Sequence, residues 1–122
     1  MKKETILGKP GAPYAKAVKA GGFLFVSGNV AVNPETGQVP EGGIEPQTRQ
    51  VLDNLKATVE ELGSSFDDVV KVNIYLVNVQ DFGGMNAVYK EYFPDPPTRT
   101  TVGVHELARR DFLIEIDLMA VL

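Results

Sequence analysis

The sequence predicts an α+β fold, in which a single mixed β-sheet carries two helices on one face in the order β-β-β-α-β-α-β-β. Runs near both ends of the chain place β-branched and apolar residues at every second position, as strands do. Two central segments instead repeat apolar residues every three to four positions, which is typical of amphipathic helices. One strand-like run separates these two segments, and such a strand-helix-strand crossover favours parallel neighbours. At 122 residues we expect a single domain over 1–122.

The first quarter of the chain is predicted to form a β-meander. Lys2–Leu7 has the pattern of a short edge strand, and Ala17–Ala20 leads into the Gly21-Gly22 turn. Phe23–Val26 is a continuous apolar run, typical of a buried strand, and Val30–Val32 continues it up to a proline-glycine turn.

The first helix is predicted to begin with Pro46 as its first residue and to stop at Gly63. Its apolar positions are Val51, Leu52, Leu55, Val59 and Leu62. The strand that follows, Val69–Val77, is apolar on both sides and is therefore predicted to be central in the sheet.

Asp81 is a candidate cap for the second helix, whose apolar stripe is Phe82, Met85, Tyr89 and Phe93. Asn86 falls on the same stripe. A buried amide is almost always hydrogen-bonded, so Asn86 should hold something in place. A neighbouring backbone group and a bound ligand are equally good partners at this stage.

The last third of the chain contains two strand-like runs that each carry a charged residue. In the first, Arg99, Thr101 and Gly103 share one face. In the second, Glu115 and Asp117 lie opposite the isoleucines. The simpler interpretation is that Arg99 and Glu115 pair or face water. The alternative is an arginine fork for a substrate carboxylate with a glutamate that handles a proton. The residue pattern alone favours the simpler interpretation.

Composition narrows the classes of function. The net charge of -4 gives no basic surface for nucleic acid or an anionic membrane, and no apolar run approaches the ~20 residues of a membrane helix. There is no cysteine and only one histidine, His105, so we expect no zinc site or other metal. The first eight residues lack the apolar segment of a secretory signal, and we expect a cytoplasmic protein without a cofactor.

A sheet with helices on one side leaves its other face uncovered. The apolar run at Phe23–Val26 and the two-sided strand around Ile74 both contribute to that face. The chain has no second layer to cover it, so we expect self-association into a cyclic oligomer.

Several short segments occur in a characteristic order and spacing along the chain. They are Ala12-Pro13-Tyr14, Phe25-Val26-Ser27-Gly28, Asn33-Pro34-Glu35-Thr36-Gly37, Gln47–Leu55, Asp68–Val72, Asp81-Phe82 with Asn86 and Tyr89, Arg99–Val102 and Ile114-Glu115-Ile116. In this order and spacing they resemble the YjgF/RidA family of reactive intermediate deaminases over essentially the whole chain. The resemblance implies a chorismate-mutase-like fold assembled as a homotrimer, with helices outside and sheets inside. It also implies that the last strand lies inside the sheet.

Active members of that family hydrolyse enamines and imines, such as 2-aminoacrylate, 2-iminopropanoate and 2-iminobutanoate, to 2-keto acids and ammonia in clefts between subunits. By resemblance, Arg99 holds the substrate carboxylate and Glu115 positions or activates water. Substrate-binding roles are implied for Tyr14, Ser27, Gly28, Asn86 and Thr101. The imine is already electrophilic, so this chemistry requires no metal or organic cofactor.

Two other functions stay open at this point. A non-catalytic trimer could bind 2-keto acids or similar metabolites in the same cleft. The family's recurring ribonuclease or translation-inhibitor name gives the other, which the acidic composition disfavours.

Overall fold

The computed structural model describes residues 2–122, which form six strands and two helices in the predicted order. The strands are β1 (Glu4–Ile6), β2 (Ala17–Ala20), β3 (Phe23–Val30), β4 (Val69–Leu76), β5 (Thr98–Gly103) and β6 (Ile114–Val121). The helices are α1 (Ile44–Glu61) and α2 (Phe82–Tyr92), and a short 3₁₀ turn precedes each of β4 and α2.

The strands form one mixed sheet in the order β1-β2-β3-β6-β4-β5. β4 and β5 pair in parallel across the α2 crossover, as predicted, and the other neighbours are antiparallel. β6 lies between β3 and β4. This confirms the position that the resemblance implies and excludes a hairpin between β5 and β6.

One face of the sheet and the two helices enclose the core. β6 shows the division most clearly, because Ile114, Ile116, Leu118 and Ala120 are buried while the residues between them are partly exposed. α1 packs on β3 and β6 with Val51, Leu52, Leu55 and Val59, all fully buried. Each fully buried aliphatic side chain of this kind contributes about 1.5–3 kcal/mol to stability.

The other face of the sheet has no covering layer within residues 2–122 and is partly apolar. Phe23 and Phe25 are each 38% exposed, and Val102 and Val121 are exposed as well. Phe23–Val26 is a strand, as predicted, but in the single chain only alternate residues of this run are buried. Leu24 and Val26 point into the core while the two phenylalanines point out of it, and the predicted uncovered apolar face is present.

The first helix begins at Ile44, two residues before the predicted start. Pro46 still lies in the first turn, where a backbone N–H has no partner within the helix, so proline is tolerated there. β3 ends at Val30 instead of continuing to Val32, because Asn54 of α1 donates to the carbonyl oxygens of both residues.

Two further details differ from the sequence predictions. The Asp81 side chain makes no capping hydrogen bond, and Asn78 instead accepts from the Gln80 N–H in the turn before α2. In β4, strand alternation predicts Val70 on the same face as Val72, Ile74 and Leu76. A register shift between Val69 and Lys71 instead turns Val70 outward, away from that buried face. Within residues 2–122, no helix is long and apolar enough to cross a membrane.

Candidate active site

The predicted site residues form two groups on opposite faces of the sheet. In the sheet register, Arg99 and Thr101 lie beside Val72 and Ile74, so they share the helix-covered face. Glu115 alternates with the buried isoleucines of β6 and therefore points to the open face. The two residues do not pair within one chain, and the simpler interpretation of an Arg99–Glu115 ion pair is wrong for the single chain.

Arg99 is held in place by side chains of α2. Its Nη1 donates to Asn86 Oδ1 over 2.8 Å, so the partner of Asn86 is a guanidinium rather than a backbone group. Among residues 2–122, no carboxylate oxygen lies within 4.0 Å of Arg99. A partly buried guanidinium with only a neutral partner retains donors for an anionic ligand.

Two aromatic rings further restrict Arg99. Its Cζ lies 4.7 Å from the Tyr89 ring centroid and 5.5 Å from that of Phe82, both within cation–π distance. Tyr89 is 5% exposed, and burial raises the pKa of its phenol although the nearby Arg99 charge opposes this. The rings fix the guanidinium orientation without neutralising its charge.

We call the surroundings of Arg99 the arginine pocket. Its cavity measures about 430 Å³, and it is lined by Asn86, Tyr89, Lys90, Phe93, Pro94, Pro96 and Arg99. Thr101 lies two residues further along β5 on the same face but does not line the cavity. The Thr101 and Tyr89 hydroxyls are both buried and have no hydrogen-bond partner within residues 2–122.

Glu115 lies in a second cavity of about 460 Å³ on the open face, which we call the glutamate pocket. It is lined by Tyr14, Ser27, Gly28, Val30, Ala108, Phe112 and Glu115. Three of the five residues predicted to bind substrate are therefore grouped with Glu115, while Asn86 and Thr101 are on the Arg99 side.

Gly28 is required for the Glu115 carboxylate to lie against β3. A Cβ at position 28 would overlap Glu115 Oε2 and come within 3.0 Å of its Cδ. Ser27 has a supporting role, because its hydroxyl donates to the Ala15 carbonyl oxygen over 2.6 Å and ties the preceding loop to β3. Tyr14 in that loop is 63% exposed at the mouth of the pocket.

The Glu115 carboxyl has a raised pKa, first because it is partly buried and second because of the nearby Asp117 charge. Such a carboxyl retains its proton to higher pH than an ordinary glutamate, and a carboxyl can both donate and accept a proton during a reaction. The two pockets thus offer a fixed cation for an anionic group and a carboxyl suited to proton transfer.

Neither of two other features resembles a site for this chemistry. A cavity of about 500 Å³ between α1 and α2 contains none of the predicted residues, and its Arg49 is paired with Glu91 over 3.0 Å. Within the part of the chain that the structure describes, no three histidine or acidic side chains are grouped as they would be around a metal ion. His105 is exposed in the loop after β5.

Sequence reasoning missed the contacts that Tyr89 and Phe82 make with Arg99, since both residues were interpreted only as apolar helix positions. A signal was available, because Asn86, Tyr89 and Phe82 lie three to four residues apart on one helix face. It also missed Asp117, although the alternation in β6 places Asp117 on the same face as Glu115. The contribution of Ala108 and Phe112 depends on a loop whose course no periodic pattern specifies.

Comparison with known proteins identifies the family of the chain. The family model described as Endoribonuclease L-PSP matches residues 6–122. A RutC family protein of Pyrococcus horikoshii is 49% identical over 113 residues, which cover 92% of this chain and 89% of that relative. A 2-iminobutanoate/2-iminopropanoate deaminase of Dermatophagoides farinae is 40% identical over 115 residues, covering 93% and 89% of the two chains.

Among solved structures, E. coli TdcF with bound serine superposes with a TM-score of 0.87 at 35% identity. That similarity covers 97% of this chain and 98% of the TdcF chain. The match of the family model and the extent of these similarities establish the family. The chain belongs to the Endoribonuclease L-PSP family, the YjgF/RidA family that its sequence motifs resemble.

Proposed function

We propose that this protein hydrolyses reactive 2-imino acids and their enamine tautomers to 2-keto acids and ammonia, in clefts formed between subunits of a homotrimer. The observation that carries the proposal is the division of the site. Within residues 2–122, Arg99 is fixed on one face of the sheet without a carboxylate partner, and Glu115 has a raised pKa on the other face.

Arg99 supplies the anchor for the substrate. A 2-imino acid has a carboxylate next to the reacting carbon, and a planar guanidinium can bind that carboxylate through two parallel hydrogen bonds. Since Asn86 and the two rings already restrict Arg99, little further ordering is needed on binding. The bound carboxylate then orients the adjacent C=N carbon.

Glu115 carries the protons. In its acid form it gives a proton to the imine nitrogen, and its carboxylate then takes a proton from water as the water oxygen bonds to carbon. Glu115 next protonates the amine of the carbinolamine. When the C–N bond breaks, ammonia departs with its electron pair, the carbonyl forms, and the hydroxyl proton returns to Glu115. The carboxyl ends the cycle protonated, as it began.

The two halves of the site have to meet across an interface, because a single chain holds them on opposite faces of its sheet. The exposed phenylalanines of β3 lie on the same open face as Glu115. Packing a neighbouring subunit on that face would bury their apolar surface. A cyclic trimer that packs this face against a neighbour would bring the arginine pocket of one subunit to the glutamate pocket of the next. The enzyme is expected to act in the cytoplasm.

The relative named as a 2-iminobutanoate/2-iminopropanoate deaminase supports this reaction class. The bound serine in the TdcF structure supports a site for a small amino-acid-like carboxylate. It also favours a second candidate function, in which the same cleft binds a small metabolite without turnover.

The test is release of 2-keto acid and ammonia from 2-iminobutanoate, which a dehydratase generates from threonine in the assay, with semicarbazide trapping imine that escapes hydrolysis. We expect the wild-type protein to accelerate release. Arg99→Ala should lower kcat/KM by the equivalent of about 2–5 kcal/mol of transition-state binding. Arg99→Lys should also have low activity, because an ammonium group cannot form two parallel hydrogen bonds to the carboxylate.

Arg49→Ala is the matched control, because it removes a partly exposed arginine that is paired with Glu91, away from both pockets. Normal activity of Arg99→Ala would contradict the assignment of the anchor. No acceleration by trimeric wild-type protein would favour the binding function, which calorimetry with serine and 2-keto acids then measures. RNA cleavage that persists after repurification and disappears in Arg99→Ala would instead favour the nuclease activity in the family's name.

A further inference from the structure

Beyond Glu115 itself, the open face of the sheet carries a cluster of polar side chains to which the reaction described above assigns no role. Asp117 Oδ1 accepts from Asn73 Nδ2 over 2.8 Å, and its Oδ2 accepts from the Tyr75 hydroxyl over 2.9 Å. Both donors come from β4, which pairs with β6 in a register that sets Asn73 beside Asp117 and Tyr75 beside Glu115. We call Asn73, Tyr75 and Asp117 the aspartate cluster.

The aspartate cluster holds the Asp117 carboxylate in place. Two donors from β4 bind its two oxygens, so its position relative to Glu115 is fixed by the sheet. The pKa of Tyr75 is raised, first by its bond to Asp117, so this phenol remains a donor. Asp117 is two residues from Glu115 on the same strand face, a separation of about 7 Å.

Few other charges lie around Glu115. β3 contributes Ser27, Gly28 and Val30 to the pocket wall, and the sheet register places Tyr75 of β4 beside Glu115. The loop before β2 contributes Tyr14. The loop before β6 contains Arg109, whose charge is paired with Asp111 over 2.6 Å. The same loop carries Glu106 and Arg110, neither of which lines the pocket. In the proposed trimer the partner subunit's Arg99 adds a positive charge, and Asp117 is the carboxylate that shares the strand face of Glu115.

We propose that Asp117 is a positioning residue for the reaction, whose fixed negative charge keeps Glu115 in its acid form until Glu115 donates a proton to the substrate. The inference rests on the proposed function. The imine has to be protonated at the start of the cycle, and only the acid form of Glu115 can do this. The charge of Asp117 acts against the partner subunit's Arg99, which would otherwise favour the ionised form of Glu115.

The test is a pH titration of the Glu115 side-chain carboxyl by ¹³C NMR on the assembled protein, with the resonance assigned by its loss in Glu115→Gln. Asp117→Asn removes the charge and keeps the shape, with an amide that can bond to both Asn73 and Tyr75. Removing a negative charge about 7 Å away should lower the Glu115 titration midpoint by about 0.5–1.5 pH units. The limb of kcat/KM that falls at high pH should move to lower pH by the same amount.

Two controls separate charge from structure. Tyr75→Phe breaks one hydrogen bond of the aspartate cluster but leaves the Asp117 charge, and it should leave the Glu115 midpoint within about 0.3 pH units of the wild-type value. Glu60→Gln removes one negative charge from the exposed side of α1 and should have no effect on Glu115.

An unchanged Glu115 midpoint in Asp117→Asn, or an equal change in Tyr75→Phe, would overturn the proposal. If Asp117→Asn does not assemble, Asp117→Thr supplies a neutral side chain suited to a strand, with the same expected result. The titration requires no substrate. Failure of wild-type turnover would thus count against the proposed function alone, while a midpoint that does not move counts against the role of Asp117.

Discussion

The arginine pocket and the glutamate pocket differ in how much of each is completed by a single chain. Arg99 is backed by α2, with Asn86 and Tyr89 fixing its guanidinium from within the core side of the sheet. Glu115 lies on the uncovered face, beside an exposed Tyr14 and within reach of solvent. A single folded chain therefore builds the proposed anchor by itself, whereas the proposed proton-transfer half depends on what covers the sheet.

The largest effect is expected from a change that prevents the open face from being covered. Phe25→Lys replaces a 38% exposed ring between β2 and β6 with a charge that would have to be buried in the trimer. We expect a folded monomer by circular dichroism and light scattering, with imine hydrolysis at the uncatalysed rate. Ala57→Lys places the same charge on the exposed side of α1 and should stay trimeric and active. A fully active Phe25→Lys monomer would contradict the division of the site.

A smaller change tests the glutamate pocket alone. Gly28→Ala introduces a methyl group where the Glu115 carboxylate lies, and we expect the side chain to move aside while the fold persists. Displacing a catalytic group by about 1 Å should lower kcat/KM roughly 10- to 100-fold, with trimer formation unchanged. Gly83→Ala, where a Cβ meets open space, is the control. Wild-type kinetics in Gly28→Ala would show that the position of Glu115 against β3 is unimportant.

The smallest expected effect concerns stability. Because the folded-state pKa of Glu115 is raised, the folded chain binds more protons than the unfolded chain between the ordinary carboxyl pKa and the raised value. The contribution of Glu115 to the free energy of unfolding of the wild-type protein is therefore lost as pH rises through that interval. Glu115→Gln should abolish activity. Its free energy of unfolding, relative to that of the wild-type protein, should be greater at neutral pH than at acidic pH.

We expect that difference to stay below about 1 kcal/mol, since solvent reaches the carboxyl and screens its charge. Denaturant unfolding of both proteins at one protein concentration and at two pH values measures it. A relative loss of stability at neutral pH would mean that the ionised Glu115 is favourably paired in the assembled protein.

Much of the fold was predictable because its signals are local. The period of α1 and the alternation of β6 specify most of their buried residues. In α2 the predicted stripe is only partly correct, because Phe82 is exposed and Val88, which the stripe omitted, is buried. The alternation along β5 and β6 correctly assigned Arg99 and Glu115 to faces within their own strands. The residue pattern could not show that the Arg99 face of β5 and the Glu115 face of β6 lie on opposite sides of the sheet. That relation depends on β6 inserting between β3 and β4, a long-range pairing that only the family resemblance implied.

Details of the site escaped prediction where a side chain's partner is distant in sequence. Asn54 ends β3 by bonding to backbone more than twenty residues away, and Tyr75 of β4 bonds to Asp117 on the neighbouring strand β6, 42 residues away. The roles that resemblance gives to Tyr14 and Ser27 remain predictions. The structure adds that Ser27 holds the loop that carries Tyr14.

The most direct test of the divided site is complementation between two inactive variants. Arg99→Ala and Glu115→Gln chains would be unfolded together in equal amounts, refolded, and assayed for imine hydrolysis beside each variant refolded alone. If each site takes Arg99 from one subunit and Glu115 from the next, random mixing supplies an intact Arg99 in half of the cases and an intact Glu115 in half of the cases. About one quarter of the sites should therefore contain both residues. Recovery of about that fraction of wild-type activity is the result that the account predicts. A mixture as inactive as its two components, with mixed trimers verified by mass spectrometry, would contradict it.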